Sequence, residues 1–322
     1  MPMKIKEKNY SISVIIPVFN GRTTIEKTLE SLLIQSEKFD ELIIMDDASA
    51  DGSPELIKKF LTEKQDFKII QNKEQFGLAK TYNGGIRAAS GDLIVTLHQD
   101  ILLEKDALQK IIEPFSDSET IASTHIVIHP MEIWNGYNFW QKCFFARLAG
   151  KSFSGIDGKF DCFRKEALSK AGFFDEINFR TAGEDGDMKC KLKKIGKIVN
   201  TDARIIHIHQ ADKNFGWRDI IYKQKQYSEA QGVLLAHGKI GDWTTLIKSF
   251  FREMLIIGFF LPYIWPIFGM LILAYSFFYT KKVYFSEYKN KRILILPFFN
   301  IYLLFVSFVY FLRGLVYGKQ RV

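Results

Sequence analysis

The run Ser11-Ile-Ser-Val-Ile-Ile-Pro-Val-Phe-Asn20 decides the fold of this chain. Its continuous apolar, β-branched character is typical of a strand that is buried on both faces of a parallel sheet. Pro17 lacks a backbone N–H and Asn20-Gly21 favours a turn, so the strand is predicted to end there. Short strands and amphipathic helices alternate after it, which predicts an α/β domain with a mostly parallel sheet covered by helices on both faces.

Polar side chains collect where the predicted strands end. The further strands are Glu41–Met45, Phe67–Gln71 and Asp92–Leu97, and the helices between them include Pro54–Thr62 and Leu78–Ala89. Ligands of such sheets bind at the carboxyl ends of the strands, where Asn20, Asp46, Asp47 and Asp100 are expected. One carboxylate there can accept a hydrogen bond from a base or ribose, and a later one can hold a divalent metal on a diphosphate. Paired aspartates are also common in turns and helix caps, so each motif alone is weakly specific.

The positive charge of the chain lies near its C-terminal end. The chain has a net charge of +8, and residues 250–322 contain nine Lys+Arg, two Asp+Glu and 13 of the 29 Phe. The remainder is close to neutral, which argues against a nucleic-acid-binding surface. The three cysteines are far apart and form no CxxC pair, so neither a disulfide scaffold nor a structural zinc site is expected, and a reducing compartment is favoured.

Two long uncharged runs predict a membrane segment over residues 250–322. Residues 254–280 and 293–312 carry no formal charge, and each is long enough for a hydrophobic helix that spans a bilayer. Two spans would place the basic loop 281–292 on the side opposite the main domain, against the positive-inside rule. Pro262 and Pro266 interrupt the first run, so a re-entrant or helix-break-helix hairpin is the alternative. The polar N-terminus predicts no signal peptide.

Taken in order, the motifs of residues 11–210 resemble those of the family 2 glycosyltransferases, which have the GT-A fold. The matching stretches are Val14-Ile-Ile-Pro-Val-Phe-Asn20, Ile44-Met-Asp-Asp-Ala-Ser-Ala-Asp-Gly52, Asn72 to Gly77, Asn83-Gly-Gly-Ile-Arg87, Ala89-Ser-Gly-Asp-Leu-Ile-Val-Thr-Leu-His-Gln-Asp100, Phe163-Arg-Lys-Glu-Ala-Leu168, Gly172-Phe-Phe-Asp-Glu176, Glu184-Asp-Gly-Asp-Met188 and Ala203-Arg-Ile-Ile-His207. The resemblance implies a GT-A domain with a mostly parallel, mixed sheet over 1–215. Aromatic and aliphatic residues among Lys and Arg predict amphipathic linker helices at the membrane surface over 216–249, and the uncharged runs predict the membrane segment over 250–322.

The resemblance also implies which residues bind the nucleotide-sugar donor. It places Pro17, Phe19 and Asn20 around the base, with Asp47 or Asp46 on uracil or ribose. Asn83-Gly84, interpreted as a helix start, faces the phosphates with backbone N–H groups.

The metal motif departs from the family pattern. The family's Asp-x-Asp corresponds to His98-Gln99-Asp100, so the first Asp is a His and the last, the main metal contact, is kept. His98 is predicted either to ligate Mn²⁺ or to hydrogen-bond the nucleotide. His207 matches the family's late His, which completes the metal site or touches the diphosphate, with His209 as the fallback. The implied cofactor is a divalent metal, Mn²⁺ or Mg²⁺.

The acidic pair Glu184-Asp185 matches the family's general base. Any acid at this helix start would also complement the helix dipole, and the resemblance is what selects Asp185, with Glu184 as runner-up or partner. The aromatic residues of 130–160, among them Trp134 and Tyr137, are predicted either to stack on an acceptor sugar or to pack on the membrane or the core.

The implied function is that of a membrane-associated, inverting hexosyl- or deoxyhexosyltransferase. Its partners would be a nucleotide-sugar donor, a lipid-linked glycan or polyprenyl phosphate acceptor, and membrane lipids, with the catalytic domain on the cytoplasmic face and no nucleic acid. The Gln-x-x-Arg-Trp signature of processive relatives is absent from the sequence, which favours single addition. The altered Asp-x-Asp motif leaves a non-catalytic nucleotide-sugar-binding or scaffold protein as the alternative.

Overall fold

The computed structural model describes residues 10–209, 213–239 and 243–322. They divide into two compact units. The sheet unit contains the described residues up to Ile128, together with Phe153–Asp175 and Lys191–His209. The helical unit contains His129–Ser152, Glu176–Cys190 and the described residues from 213 to 322.

Nine strands and thirteen α-helices occur in the described ranges. The strands are β1 (Ile12–Val18), β2 (Glu41–Asp46), β3 (Lys68–Gln71), β4 (Leu93–Thr96), β5 (Ile101–Leu103), β6 (Thr120–His129), β7 (Lys151–Ser154), β8 (Cys162–Arg164) and β9 (Lys197–His207). The helices are α1 (Ile25–Leu33), α2 (Ser53–Leu61), α3 (Leu78–Ala88), α4 (Ala107–Ile112), α5 (Met131–Asn135), α6 (Phe139–Phe145), α7 (Lys165–Lys170), α8 (Glu184–Leu192), α9 (Trp217–Ala236), α10 (Trp243–Phe259), α11 (Trp265–Phe278), α12 (Lys281–Ser286) and α13 (Leu296–Tyr317).

The predicted mixed sheet is confirmed. Its strands lie in the order β3-β2-β1-β4-β8-β6-β9-β5. The first four are parallel to one another, and β8 is antiparallel to β4 and β6. All seven residues of β1 are buried, as its continuous apolar run predicted. The carboxyl ends of β1, β2 and β4 therefore meet at one edge of the sheet.

Glu41 ties the opposite edge of the sheet together. Its carboxylate accepts hydrogen bonds from the Ser13 hydroxyl at 2.6 Å and from the Ser90 N–H at 2.8 Å, and it pairs with Lys68 Nζ at 2.6 Å. Burial alone would raise the pKa of Glu41, but the hydrogen bonds from Lys68, Ser13 and Ser90 lower it to about 2. The folded state therefore favours the charged form.

The helical unit is organised around the crossing of α9 and α13. A side chain at Gly232 would overlap the carbonyl oxygen of Phe311, and one at Gly314 would overlap the carbonyl oxygen of Glu229. The two glycines thus let the helix backbones touch, as small residues do at close helix crossings. The Glu229 carboxylate is fully buried beside this crossing and pairs with Arg313 Nε at 2.9 Å.

The first hydrophobic run forms two helices, so the prediction of one helix over about 254–280 is wrong. Helix α10 ends at Phe259 and α11 begins at Trp265. Pro262 lies in the connection, and Pro266 lies in the first turn of α11, where its missing N–H costs nothing. Leu255 and Ile256 of α10 pack in one cluster with Ile272 of α11, so the two helices form the helix-break-helix hairpin that was the alternative.

The second run forms one long apolar helix. Within the described residues, the 27-residue stretch Lys291–Tyr317 is the one helix long and apolar enough to cross a membrane by length and composition, and a third of its most apolar window is buried. Large apolar side chains are exposed both in this stretch (Leu294, Phe298 and Val316) and elsewhere in the helical unit (Phe260, Tyr263, Met270, Phe278 and Phe285). An apolar surface of this extent is typical of contact with lipid or a partner.

We predict that Gly232→Ala lowers the free energy of unfolding by about 3 kcal/mol, because the added methyl group meets backbone that cannot rotate away. Gly269→Ala is the matched control, since a Cβ there would lie 3.6 Å from the Phe259 ring. The control is expected to be neutral or slightly stabilising. Thermal unfolding in detergent measures both variants, and equal midpoints would contradict the close crossing.

A second prediction concerns pH. Because the pKa of Glu41 is lowered from 4.5 to about 2, its contribution to stability is present above pH 4.5 and is lost as the pH falls toward 2. Glu41→Gln should remove this pH dependence, which we expect to amount to about 1 kcal/mol because the group is partly solvated. Denaturant unfolding between pH 6 and pH 3 measures it. Glu30→Gln, at an exposed position on α1, should retain the wild-type slope.

Candidate functional site

Two amide side chains organise the loops at the carboxyl end of β1. The Gln99 carboxamide accepts the Phe19 N–H at 3.0 Å and donates to the Phe19 carbonyl at 3.1 Å. Asn20, in the left-handed region at φ 49°, accepts the Ala50 N–H at 2.9 Å. Pro17 is buried within β1, whereas Phe19 and Asn20 are exposed. The exposed Phe19 ring is therefore the surface that this strand end presents to a ligand.

Asp47 holds the loop that precedes α3. Its buried carboxylate accepts the Asn72 side-chain N–H and the Phe76 N–H, each at 2.8 Å, and the Gly77 N–H at 2.9 Å. Its own N–H donates to the carbonyl of Val18 at the end of β1. These contacts engage both carboxylate oxygens with the protein itself.

Asp46 lies in a different environment. It is 2% exposed, and its Oδ2 accepts only a long hydrogen bond of 3.3 Å from the Ser49 N–H. Its Oδ1 is buried with no hydrogen-bond partner among the described residues. A buried acceptor without a partner costs about 1–3 kcal/mol, which a ligand N–H or O–H would recover. Of the two aspartates predicted to bind the nucleotide, Asp46 is the one with an oxygen available.

Asp100 lies beside two histidines. His207 Nε2 is 3.0 Å from Asp100 Oδ2, and His209 Nδ1 is 3.9 Å from the same oxygen. The pairing of β5 with β9 places Ile101 opposite His207, which explains why these residues meet. The structure therefore brings the predicted metal residues Asp100 and His207 together and adds the fallback, His209.

This donor set fits a divalent cation. Burial alone would raise the pKa of Asp100, but its interactions with His207, His98 and His209 hold it well below the usual range, so the carboxylate is charged. One carboxylate with imidazole nitrogens suits Mn²⁺ better than Mg²⁺, which prefers oxygen ligands.

His98 is neutral at physiological pH. Burial of the imidazole lowers the pKa of His98 to about 4. Its ring stacks on Tyr82, with centroids 6.2 Å apart, and its Nε2 is buried without a hydrogen-bond partner in the described part of the chain. A neutral imidazole can ligate a metal or hydrogen-bond a nucleotide, so both predicted roles remain chemically available.

A cluster of one histidine and two aspartates lies at the loop that contacts His98. It was not identified from the sequence. The buried His125 lies 3.3 Å from both Asp157 and Asp161. Asp161 accepts the Gly158 N–H at 2.8 Å, and the Gly158 carbonyl accepts the Tyr82 hydroxyl at 2.9 Å. The cluster thereby fixes the loop beside His98. His125 lies in β6, whereas Asp157 and Asp161 lie in the loop between β7 and β8. No local sequence pattern indicates that the three residues meet.

The interpretation of Asn83-Gly84 as a helix start is wrong. Helix α3 begins at Leu78, so both residues lie inside it. The Asn83 carboxamide donates to the Phe174 carbonyl and accepts the Phe174 N–H, at 2.9 and 3.0 Å. A Cβ at Gly84 would lie 2.8 Å from the Met45 side chain. Close packing on the sheet explains this glycine.

The predicted base lies at the start of α8 in the helical unit. Glu184 is buried and Asp185 is half-buried. Asp187, which shares this helix start, is fully buried and pairs with Lys239 Nζ at 2.5 Å. Asp187 therefore has a structural partner, and Asp185 is the most accessible of the three acids.

The aromatic residues after β6 belong to the core of the helical unit. Trp134 is 3% exposed, and its indole N–H donates to the Lys142 carbonyl at 3.0 Å. Tyr137 packs in the same cluster, together with Ile220 and Leu296. Of the two predicted roles, packing in the core is the one observed for Trp134 and Tyr137.

Comparison with known proteins identifies the family. The profile of glycosyl transferase family 2 matches residues 13–170, and that of glycosyl transferase family group 2 matches residues 93–313, more than half of the chain. The chain therefore belongs to the family 2 glycosyltransferases. Poly-beta-1,6-N-acetyl-D-glucosamine synthase of Staphylococcus aureus (strain COL) is 30% identical over 176 residues, covering 51% of this chain and 42% of the relative. The chain thus spans less than half the length of this curated relative.

Solved glycosyltransferases share the fold. A mannosyltransferase from Pyrobaculum calidifontis in complex with GDP-mannose and Mn²⁺ has a TM-score of 0.61 at 16% identity, covering 98% of this chain and 89% of its own. GalNAc-T7 with UDP, GalNAc and Mn²⁺ has a TM-score of 0.52 at 17% identity, covering 76% and 54%. These similarities confirm the GT-A fold.

Substitution of Asp46 and substitution of Asp47 should have different effects. Asp46→Asn is expected to weaken binding of a nucleoside diphosphate by about tenfold while stability changes little, because its Oδ1 has no described protein partner. Asp47→Asn should lower the free energy of unfolding by about 1–3 kcal/mol, because an amide nitrogen would face N–H donors. Calorimetry with uridine and guanosine diphosphates and thermal unfolding measure the two effects. The reverse pattern would transfer the nucleotide role to Asp47.

Proposed function

We propose that this chain is a membrane-associated, inverting glycosyltransferase that moves one sugar from a nucleotide-sugar donor to a lipid-linked acceptor. The observation that carries the proposal is the edge of the sheet at β1, β2 and β4. There a buried Asp46 oxygen has no partner among the described residues, and the charged Asp100 lies beside His207 and His209. An available acceptor for a nucleoside and a metal-type donor set for a diphosphate are the two requirements of a nucleotide sugar.

The donor is bound by residues of the sheet unit. Asp46 accepts a hydrogen bond from the base or ribose, and the exposed Phe19 ring covers the base. Asp100 and His207 would hold a divalent metal, with His209 beside them. When bound, that metal would neutralise charge on the leaving diphosphate.

Asp185 is the general base. It takes the proton of the acceptor hydroxyl as the hydroxyl oxygen bonds to the anomeric carbon, and the bond from that carbon to the diphosphate oxygen breaks. The electron pair leaves with the nucleoside diphosphate. Attack opposite the leaving group inverts the anomeric centre. Asp187 takes no part, because it is held by Lys239.

The acceptor is lipid-linked, either a glycan on a polyprenyl carrier or a polyprenyl phosphate. The exposed apolar side chains of the helical unit and the apolar stretch Lys291–Tyr317 support membrane association. Because the first run forms a hairpin, the basic residues that follow it, such as Lys281 and Lys289, can lie in the cytoplasm together with the catalytic domain, as the positive-inside rule favours. The lack of a Gln-x-x-Arg-Trp signature supports addition of one sugar.

A donor screen tests the activity. The detergent-purified full chain is incubated with Mn²⁺ and a panel of nucleotide hexoses and deoxyhexoses, and nucleoside diphosphate release is measured with and without a polyprenyl phosphate. Release with one donor, stimulated by the lipid, is expected. Nucleotide binding with neither transfer nor donor hydrolysis would favour the non-catalytic alternative.

We predict that Asp185→Asn lowers the transfer rate by about 10²- to 10⁴-fold, the range for loss of a general base. Donor affinity should stay within about twofold of wild type, because the donor-binding residues are unchanged. Radiolabelled sugar transfer and donor calorimetry measure the two quantities.

Two further variants show whether the loss of transfer is specific to Asp185. Asp202→Asn is the control, since the Asp202 side chain is 73% exposed, and it should transfer at the wild-type rate. If Glu184→Gln abolishes transfer while Asp185→Asn retains it, the base is Glu184.

A further inference from the structure

A cationic pocket lies in the helical unit, and none of the roles above uses it. Its volume is about 300 Å³. Its polar wall consists of Arg147, Arg252, Gln224, Gln231 and Tyr227, and Gly183 lies at its edge. No carboxylate occurs among the described residues that line it. Two guanidinium groups with neutral donors and no acid predict an anionic ligand.

Both guanidinium groups are held in place. Arg252 Nη2 donates to Gln231 at 3.1 Å, which leaves the remaining N–H groups of its five-donor fork for other acceptors. Arg147 stacks on the Tyr279 ring, 4.6 Å from its centroid. A planar guanidinium fixed in this way is well suited to the paired oxygens of a phosphate.

Two acids of α9 and α10 have described contacts outside the pocket. Glu253, the neighbour of Arg252 in α10, is buried and accepts the Ser307 hydroxyl at 2.9 Å. Glu229 of α9 is paired with Arg313. Each of these carboxylates therefore has a described partner other than the two pocket arginines.

An apolar stripe runs along α10, the helix that carries Arg252. Phe251, Met254 and Ile257 follow one another at a spacing of three residues on either side of Arg252, and each is about half exposed. Their spacing places them along one side of the helix. A ligand that suits both features has a phosphate head and an apolar chain.

The pocket also adjoins the predicted base in the sequence and in space. Gly183 lies at its edge, and Glu184 and Asp185 follow directly at the start of α8. The Gly183 backbone has φ 95°, and a Cβ there would lie 2.8 Å from the Phe179 ring, so this turn is fixed. A phosphate bound in the pocket would bring its attached group to the residues that activate the acceptor.

We propose that this pocket binds the phosphate or diphosphate of a polyprenyl-linked acceptor, with the isoprenoid chain along the Phe251–Met254–Ile257 stripe. The proposal rests on the lipid-linked acceptor of the proposed function and assigns its head group to Arg147 and Arg252. A phosphate ester on an apolar chain also occurs in membrane phospholipids, so the experiment separates the two sources.

The test uses the full chain in detergent micelles with farnesyl phosphate as the probe. Farnesol is the uncharged match, and dioleoyl phosphatidic acid is the phospholipid match. We expect Arg147→Gln and Arg252→Gln each to weaken binding of farnesyl phosphate at least tenfold and to leave farnesol binding unchanged. Arg252→Lys should recover part of the loss. Arg218→Gln, at an exposed arginine of α9 outside the pocket, should bind as wild type.

Three results would overturn the proposal. The first is unchanged binding of farnesyl phosphate by both glutamine variants. The second is a loss of affinity that is equal for farnesol, which indicates an unfolded site; thermal unfolding of Arg147→Gln, at an exposed position, checks the fold independently. The third is displacement of farnesyl phosphate by phosphatidic acid at equal affinity, which would make the pocket a contact with bilayer lipid.

Failure of this proposal is distinguishable from failure of the proposed function. If no donor is turned over while farnesyl phosphate binding still depends on the arginines, the function is wrong and the pocket stands. If the variants transfer sugar to a polyprenyl phosphate with the wild-type KM, the pocket is wrong and the function stands.

Discussion

The carboxylate of Asp47 is the contact on which the edge of the sheet depends. It accepts three N–H groups from the segment Asn72–Gly77, and its own N–H reaches the last residue of β1. One buried charge thus joins the end of β1, the end of β2 and the loop before α3. Because hydrogen bonds to a buried carboxylate are strong and directional, this loop has one position. Because Asp47 already holds the loop, the neighbouring Asp46 is not needed for that purpose. Its Oδ1 can therefore accept a hydrogen bond from a ligand.

The first four strands of the sheet could be predicted from the sequence, because each is a local pattern of residues. Buried parallel strands are continuous apolar runs, and Ile12–Val18 and Leu93–Thr96 are short enough to be recognised as such. The polar residues after each run follow from the same rule, which placed Asp46, Asp47 and Asp100 at one edge. The break near Pro262 was visible too, but hydropathy alone could not decide between a kinked span and two helices.

The division of roles within the site could not be predicted, because it depends on partners distant in sequence. Asp46 and Asp47 are equivalent in the sequence, and only contacts from residues 25 to 30 positions away distinguish them. Asn83 is likewise occupied by the Phe174 backbone, 91 residues away. The cluster of His125, Asp157 and Asp161 has no spacing that marks it. In each case the sequence shows which kind of side chain is present. It does not show which distant residue that side chain contacts, and the contact determines its role.

The helical unit combines an apolar exterior with a polar interior. Glu229 pairs with Arg313, and Ser307 connects Ser228 to Glu253, all within the bundle. Groups of this kind are costly beside lipid, and the close crossing at Gly232 and Gly314 brings α9 and α13 near enough for Ser228 and Ser307 to hydrogen-bond. Arg147 and Arg252 are the exception, since no acid lines their pocket in the described residues. Two arginines next to an apolar surface are stabilised where a phosphate meets them, which is the chemistry of a lipid head group.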